Sequence, residues 1–304
     1  MQLIRGLKNL TKHSGSVVTI GNFDGVHMGH QKIISELVSK ANFLNLPSIL
    51  ISFAPTPQCF FGQARATLTN FKEKHALLSQ SGLDKHLIIH FNQDFSQLSA
   101  ETFIKKILLD QLNVKHCLVG DDFRFGKKRQ GDFKLLCKYG KIHNFSVQDT
   151  PSVMQDNERV SSSKIRSLLQ QGKFDQAQRM LGRAFSISGK IIHGQKKGRT
   201  IGFPTINIPI KREISPVLGV FAVTVKIQND IYQGVCNIGK RPTVNGQNTL
   251  LEVFIFNFDQ QVYDQQAQVI FKKKIRNEKK FDSFEQLKQQ IDQDVLDAKL
   301  CFKL

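Results

Sequence analysis

The sequence predicts an α/β domain with a parallel sheet, followed by a small all-β barrel that carries a final helix. Three observations lead there. Up to about residue 180, short β-branched apolar runs alternate with stretches of helical spacing, the pattern of a parallel sheet with helices on both faces. From Ala184 onward that spacing stops, and strand-like runs follow one another across Gly, Pro and Asn turns. The last helical stretch opens on Ser283-x-x-Gln286, a capping-box signature, and gathers Phe284, Leu287, Ile291 and Val295 on one face. That face reads as packing rather than as a partner site.

In the first half, residues 16–20, 48–53, 86–90 and 116–119 read as buried strands, with helices at 31–42, 72–81 and 100–109 between them. Helices at 164–171 and 174–181 follow, and the change of periodicity puts a domain border near 181–183. In the second half, 185–193, 219–227, 231–237, 250–256 and 268–275 are strand-like. There is no internal repeat and no low-complexity tract.

Length allows two ordinary domains, and 40% hydrophobic with 22% charged residues is a soluble, globular composition. No apolar run approaches a membrane span, and residues 1–10, broken by Arg5, Lys8 and Asn9, lack a signal-peptide core. The five cysteines are widely spaced, without Cys-x-x-Cys, and read as reduced structural thiols; the expected compartment is the cytoplasm. The net charge of +18 can serve nucleic acid or steer polyanionic small molecules such as ATP. Its clusters, Lys127-Lys128-Arg129, Lys196-Lys197 and Lys272-Lys273-Lys274, come without zinc-finger spacing or an RNA-binding aromatic motif. Neither a nucleic-acid nor a membrane partner is expected, although the charge keeps a basic nucleic-acid-binding protein as the last alternative, and the oligomeric state is not legible.

The most informative stretch is Gly21-Asn22-Phe23-Asp24-Gly25-Val26-His27-Met28-Gly29-His30. A strand stops at Gly21 and a helical pattern begins near Met28, so His27 and His30 share one side of a helix's first turn. Unpaired N–H groups and the positive dipole end make such a turn a phosphate site, and Gly29 lets a phosphate chain approach the backbone. With 9 His and 21 Gly in the chain, His-x-Gly-His is expected by chance roughly 0.02 times. The bland reading is a pair of histidines capping a helix beside a tight turn.

Three further stretches carry chemistry. Gly120-Asp121-Asp122-Phe123-Arg124-Phe125-Gly126 follows a strand and combines carboxylates, aromatics and cations, which suits a ring-bearing phosphorylated substrate or a polar turn with an apolar anchor. Ser161-Ser162-Ser163-Lys164-Ile165-Arg166 opens a helix with hydroxyls and with cations where the dipole disfavours them, a second oxyanion cradle. In the β half, Gly198-Arg199-Thr200-Ile201-Gly202-Phe203-Pro204-Thr205-Ile206-Asn207 puts Thr205 and Asn207 on one face of an extended segment, oxygen ligands suited to Mg²⁺ on ATP phosphates. Glu252 stands in the apolar run 250–256, where a carboxylate is either paired with a cation or kept as a general base.

Together, in order and spacing, these stretches resemble the prokaryotic bifunctional riboflavin kinase/FMN adenylyltransferase family over nearly the whole chain. Arg129-Gln130-Gly131-Asp132, Gly219-Val220-Phe221-Ala222-Val223, Asn237-Ile238-Gly239-Lys240-Arg241-Pro242-Thr243 and Ile275-Arg276-Asn277-Glu278 complete the match. The resemblance implies a Rossmann-like nucleotidyltransferase domain over residues 1–182 and a six-stranded riboflavin-kinase barrel with a terminal helix over 183–304. It implies that His27 and His30 serve adenylyl transfer, with Gly21, Gly29, Ser162, Ser163 and Arg166 around the ATP phosphates. Asn22, Asp24, Asp122, Phe123 and Phe125 would lie on the FMN side. In the kinase half, Gly198, Thr205 and Asn207 would hold Mg²⁺–ATP, Arg276 would face the flavin, and Glu252 would take the ribityl proton. Riboflavin, FMN, FAD and ATP are the implied ligands.

Two departures stand out. Where the family usually has Phe-Asp-Pro-His-Pro, this chain has Phe53-Ala54-Pro55-Thr56-Pro57, and Phe254 replaces a frequent histidine. The first of these keeps open a monofunctional riboflavin kinase with an impaired adenylyltransferase half.

Overall fold

Ile49, Leu50 and Ile51 are all fully buried, so one strand of the first half is covered on both faces. The structure, a computed structural model, describes residues 1–11, 14–194, 202–212, 214–243 and 246–304. Its contacts divide it into two units, Met1–Arg65 with Phe71–Ser161, and Ala66–Asn70 with Ser162–Leu304.

The first unit holds a six-stranded sheet, every pair parallel, in the order β1-β4-β3-β2-β5-β6. The strands are β1 (Gln2–Arg5), β2 (Ser16–Ile20), β3 (Ser48–Ala54), β4 (Lys85–His90), β5 (Val114–Gly120) and β6 (Ser146–Thr150). Successive side chains point to opposite faces, so neighbours on one strand feed two cores. Val17, Leu50 and Leu118 pack with Ile34, Leu37 and Ala41 of α1 (Met28–Leu44), while Val18, Ile49, Ile51 and Val119 belong to the other face. That other face is covered by α5 (Ala100–Phe103), which runs on as a π-helical stretch at Ile104–Gln111, and by α6 (Phe133–His143). The remaining helices are α2 (Pro57–Phe60), α3 (Phe71–Ser79) on the α1 face, and α4 (Gln93–Ser96); β7 (Met154–Gln155) and β8 (Glu158–Arg159) form a small ribbon.

The chain winds from β2 through β3 and β4 in one direction and reaches β5 on the other side of β2. The crevice at the carboxyl ends of β2 and β5 is therefore the switch point where parallel sheets bind ligands. Both predicted loops, after Ile20 and after Gly120, leave the sheet there. Strands β1 and β6 and helix α6 are additions to the sequence reading.

The second unit begins with α7 (Ser162–Gln170) and α8 (Phe174–Leu181). Phe174 stacks on Phe271 and meets Phe221 edge-on, both with ring centres 5.8 Å apart, which builds α8 into the core of this unit. Residues 66–70 join it through Thr67, whose N–H donates to Ile214 O, and through Arg212, which donates to Leu68 O. The unit's sheet runs β10-β13-β12-β11-β14-β9, all neighbours antiparallel. Its strands are β9 (Ser186–Lys190), β10 (Thr205–Pro209), β11 (Gly219–Ile227), β12 (Asp230–Thr243), β13 (Gly246–Ile255) and β14 (Gln266–Arg276). Ile192 N–H donates to Asn207 O at 2.8 Å, which brings the chain beyond β9 onto β10 and nearly closes a barrel.

Helix α9 (Phe284–Phe302) is capped by Ser283, whose Oγ accepts from Gln286 N–H. Its packed stripe is Ile291, Val295, Ala298 and Phe302, against Val220, Ala222, Val235, Phe254 and Phe256. Phe284, expected on that stripe, is 55% exposed, because packing starts only after the first turn. All five cysteines are unbridged, and burial pushes the Cys117 thiol up to about 12 and raises Cys236 as well, which keeps both unreactive. Among the described residues no helix is long and apolar enough to cross a membrane.

Candidate active sites

The loop after β2 is bent by three residues of positive φ within four positions. Phe23 (φ 50°), Gly25 (φ 82°) and Val26 (φ 41°) all lie in the left-handed region, which is strained for a β-branched residue such as Val26. The bend delivers His27 to the N-cap of α1, where its Nδ1 accepts from His30 N–H at 3.3 Å. The His27 and His30 rings then stack with centres 3.5 Å apart, and His27 is only 6% exposed. A Cβ on Gly29 would sit 3.3 Å from the His27 ring, a tight contact that the glycine avoids. Gly21 similarly leaves space for the Phe23 ring, which tilts against His30 at 5.0 Å. The capping reading of the pair is seen directly: His27 is the cap of α1, and that bond occupies its Nδ1. A neutral imidazole that accepts at Nδ1 carries its proton on Nε2, which leaves that nitrogen as donor.

Sequence reasoning missed the wall behind this loop. Lys74 of α3, partly buried, donates from Nζ to Asn22 O at 3.1 Å, while the Asn22 side chain donates to Gln58 Oε1 at 3.0 Å. Burial pushes the Lys74 pKa down from its ordinary value, and the Asp24 carboxylate pulls it back up. His86, fully buried, shares a hydrogen bond with Ser52 Oγ at 2.8 Å; burial and the charges of Lys74 and His75 lower its pKa to about 3. In the departing segment, Thr56 caps α2, with its Oγ1 facing Cys59 N–H, and Pro57 opens that helix.

In the loop after β5, Phe125 is an anchor, 8% exposed, with its main chain paired to Gly131 in both directions. A Cβ on Gly131 would meet the Phe125 ring at 2.7 Å. Phe123 stacks on Phe125 at 5.5 Å and is less buried, while Asp121 and Asp122 are both tied to Arg159. Beside these loops runs a chain of aromatic contacts, Phe60–Phe91 (5.3 Å), Phe91–Phe95 (5.6 Å) and Phe53–Phe95 (5.7 Å), with Phe61 also against Phe91. Phe53 and Phe91 come from the carboxyl ends of β3 and β4. The one signal for it in the sequence was 24 phenylalanines beside no tryptophan. Ser162 and Ser163 lie in the first turn of α7 and Arg166 follows, in the second unit.

The barrel gathers three of the kinase candidates, Asn207, Glu252 and Arg276, into one line. Asn207 of β10 is the register partner of Glu252 on β13, Glu252 of Asn237 on β12, Asn237 of Val220 on β11, and Val220 of Arg276 on β14. Opposed residues of an antiparallel pair share a face, so this row crosses five strands on one side of the sheet. The next row, Ile208, Leu251 and Ile238, is fully buried on the other side. Arg276 donates from Nε and Nη2 to both oxygens of Asp294 on α9, at 2.8 and 2.7 Å, and from Nη1 to Asn277 O. Glu278 stands over Gly239 beside Asn237, since a Cβ on Gly239 would collide with its carboxylate. Asn237 and Glu278 carried no role in the sequence reading beyond their motifs.

Thr205 and Asn207 lie on the same face of β10, and Asn207 Nδ2 donates to Thr205 O, which directs its Oδ1 away from that bond. With the Glu252 carboxylate opposite, these are hard oxygen donors that fit Mg²⁺. Among the described residues no group of three or more His, Cys, Asp or Glu side chains could hold a metal by itself. Gly198 lies outside the described residues, as do Arg199, Thr200 and Ile201.

Residues 9–164 match the FAD synthetase family and residues 181–302 the riboflavin kinase family. The chain is 44% identical to the bifunctional riboflavin kinase/FMN adenylyltransferase of Haemophilus influenzae, covering 99% of each chain. It is 43% identical to the Escherichia coli K12 protein of the same description, over 100% of this chain and 99% of the other. A Streptococcus pneumoniae structure described as a macrolide-efflux protein superposes with a TM-score of 0.80 at 30% identity, covering 96% of each chain. With both halves matched in order and full-length relatives above 40% identity, the chain belongs to the bifunctional riboflavin kinase/FMN adenylyltransferase family.

Proposed function

We infer that this chain makes FAD in two steps, phosphorylating riboflavin with ATP and then transferring the adenylyl group of a second ATP to FMN with release of pyrophosphate. The observation that carries this reading is the presence in one chain of both family matches, over residues 9–164 and 181–302.

In the kinase step, Glu252 takes the proton of the ribityl hydroxyl as the hydroxyl oxygen attacks the γ-phosphate of ATP, whose bond to the β,γ-bridging oxygen breaks to release ADP. Thr205 and Asn207 would hold Mg²⁺ on the ATP phosphates, where it supplies charge neutralisation. Asn237, next along the row, supports the Glu252 carboxylate. Arg276, held by Asp294, closes the row on the flavin side. In the adenylyl step the nucleophile is an FMN phosphate oxygen, already anionic, so no strong base is needed. Catalysis then rests on alignment and on stabilising charge at the α-phosphate. His27, donating from Nε2, His30 and the amino end of α1 supply that, and Gly21 and Gly29 allow the approach. Ser162, Ser163 and Arg166 are assigned to the triphosphate. Asn22, Asp24, Asp122 and Phe123 are assigned to FMN, with Phe125 beneath them as support and the Phe53–Phe91 aromatics as a ring platform. We place the border between the two activities near 182/183, the compartment in the cytoplasm, and no nucleic acid among the partners.

The test is incubation with riboflavin, ATP and Mg²⁺ followed by separation of the flavins. FMN and FAD are the expected products. FMN alone would favour the second reading, an impaired adenylyltransferase, for which Ala54 and Thr56 are the motive. Unchanged riboflavin would overturn both.

A further inference from the structure

The structure assigns a role to a residue outside every motif: we propose that Lys74 is a positioning residue for adenylyl transfer, tying the Asn22–Asp24 turn to α3. This rests on the adenylyltransferase reading of the first unit. Asn22 is held at two points, its carbonyl by Lys74 Nζ at 3.1 Å and its side-chain amide by Gln58 Oε1 at 3.0 Å. Both points are on Asn22, immediately before the turn in which Phe23 (φ 50°) and Val26 (φ 41°) are strained. Conformations of that kind persist only when their surroundings over-determine them. Three residues after Asp24 comes His27, whose ring must meet His30, so slack in the turn becomes misplacement at the histidine pair.

The charges around Lys74 explain why the position wants an ammonium. Asp24 faces it from the loop. His75 on α3 and His86 on β4 stack with centres 6.0 Å apart, and His86 is held neutral at physiological pH. Arg5 of β1 sits over the Phe71 ring, which in turn stacks on His75. A neutral isostere would leave the Asn22 carbonyl without this donor and Asp24 without this nearby cation. Burial lowers the Lys74 pKa from its ordinary value, and the Asp24 carboxylate acts against that shift.

The experiment compares the full-length wild type with Lys74→Met and Lys74→Arg. Steady-state FAD formation from FMN and ATP, riboflavin phosphorylation, and amide exchange over residues 22–31 are measured on each. Lys74→Met should lower the kcat of FAD formation about 10- to 100-fold, with a smaller change in KM, and leave riboflavin phosphorylation within two-fold. Amide exchange at 22–31 should quicken. The wild type should lose FAD formation at alkaline pH, and Lys74→Arg, which keeps its charge there, should lose that limb while recovering part of the rate. FAD formation by Lys74→Met within two-fold of wild type would overturn the proposal. If Lys74→Met fails to fold, an alkaline limb in Lys74→Arg identical to that of wild type would also overturn it. A wild type that makes no FAD defeats the adenylyltransferase reading instead, and unchanged amide exchange in Lys74→Met then decides against the tether by itself.

Discussion

Asn207 and Glu252 stand directly opposite each other on adjacent strands of the barrel, although 45 residues separate them in sequence. The pairing puts an amide suited to a metal-bound phosphate beside a carboxylate suited to an alcohol proton. It also shows why a carboxylate is tolerated in the strand Leu250–Phe256 runs through: Glu252 lies in the Asn207–Asn237 row, and Leu251 and Val253 take the buried side.

Glu252→Gln keeps the shape of the side chain and removes its basicity. Riboflavin phosphorylation should fall by about 10²–10⁴-fold, the usual contribution of a general base. FAD formation from supplied FMN should persist. Near-normal kinase turnover would make Glu252 a structural member of the row.

His30→Ala removes one half of the stacked imidazole pair. FAD formation from FMN should drop by roughly 10²–10³-fold in kcat, the scale for losing one preorganised donor, with riboflavin phosphorylation unaffected. A rise in KM with kcat unchanged would instead assign His30 to ground-state ATP binding.

Phe174 ties α8 into the core of the second unit. Fragments starting at Ser162 and at Leu181 should both phosphorylate riboflavin, but the shorter lacks the ring packed on Phe221 and Phe271. Its stability should be lower by about 3–5 kcal/mol, the scale of removing a core phenylalanine. Denaturant melts of the two fragments measure this, and equal midpoints would show that α8 is dispensable.

His86 and His116 make the first unit acid-sensitive. Burial lowers His86 to about 3 and His116 to about 4, both below the ordinary 6.5. The unfolded chain therefore binds more protons than the native one between those values. This contribution is complete above about pH 6.5 and is lost as the pH falls toward 4, at up to about 1.4 kcal/mol per pH unit for each histidine. Urea melts between pH 7.5 and 5 check the slope, and His86→Asn should reduce it.

The sequence by itself determined the class of each half. Continuous apolar runs with helices between them specify strands covered on both faces, and short alternating runs with Gly and Pro turns specify antiparallel strands; both are local periodicities. It also determined the His27–His30 turn and the Thr205–Asn207 face, because each lies within one element whose geometry is periodic. The edge strands β1 and β6 were not legible, since four- and five-residue strands with polar positions carry too little periodicity. Only the tertiary structure decided the row from Asn207 through Glu252 and Asn237 to Arg276, because cross-strand register depends on how the barrel closes. The same holds for Lys74 against Asn22, 52 residues apart, and for Arg276 against Asp294. Such contacts form when packed elements meet, and no spacing along the chain records which side chains then face each other.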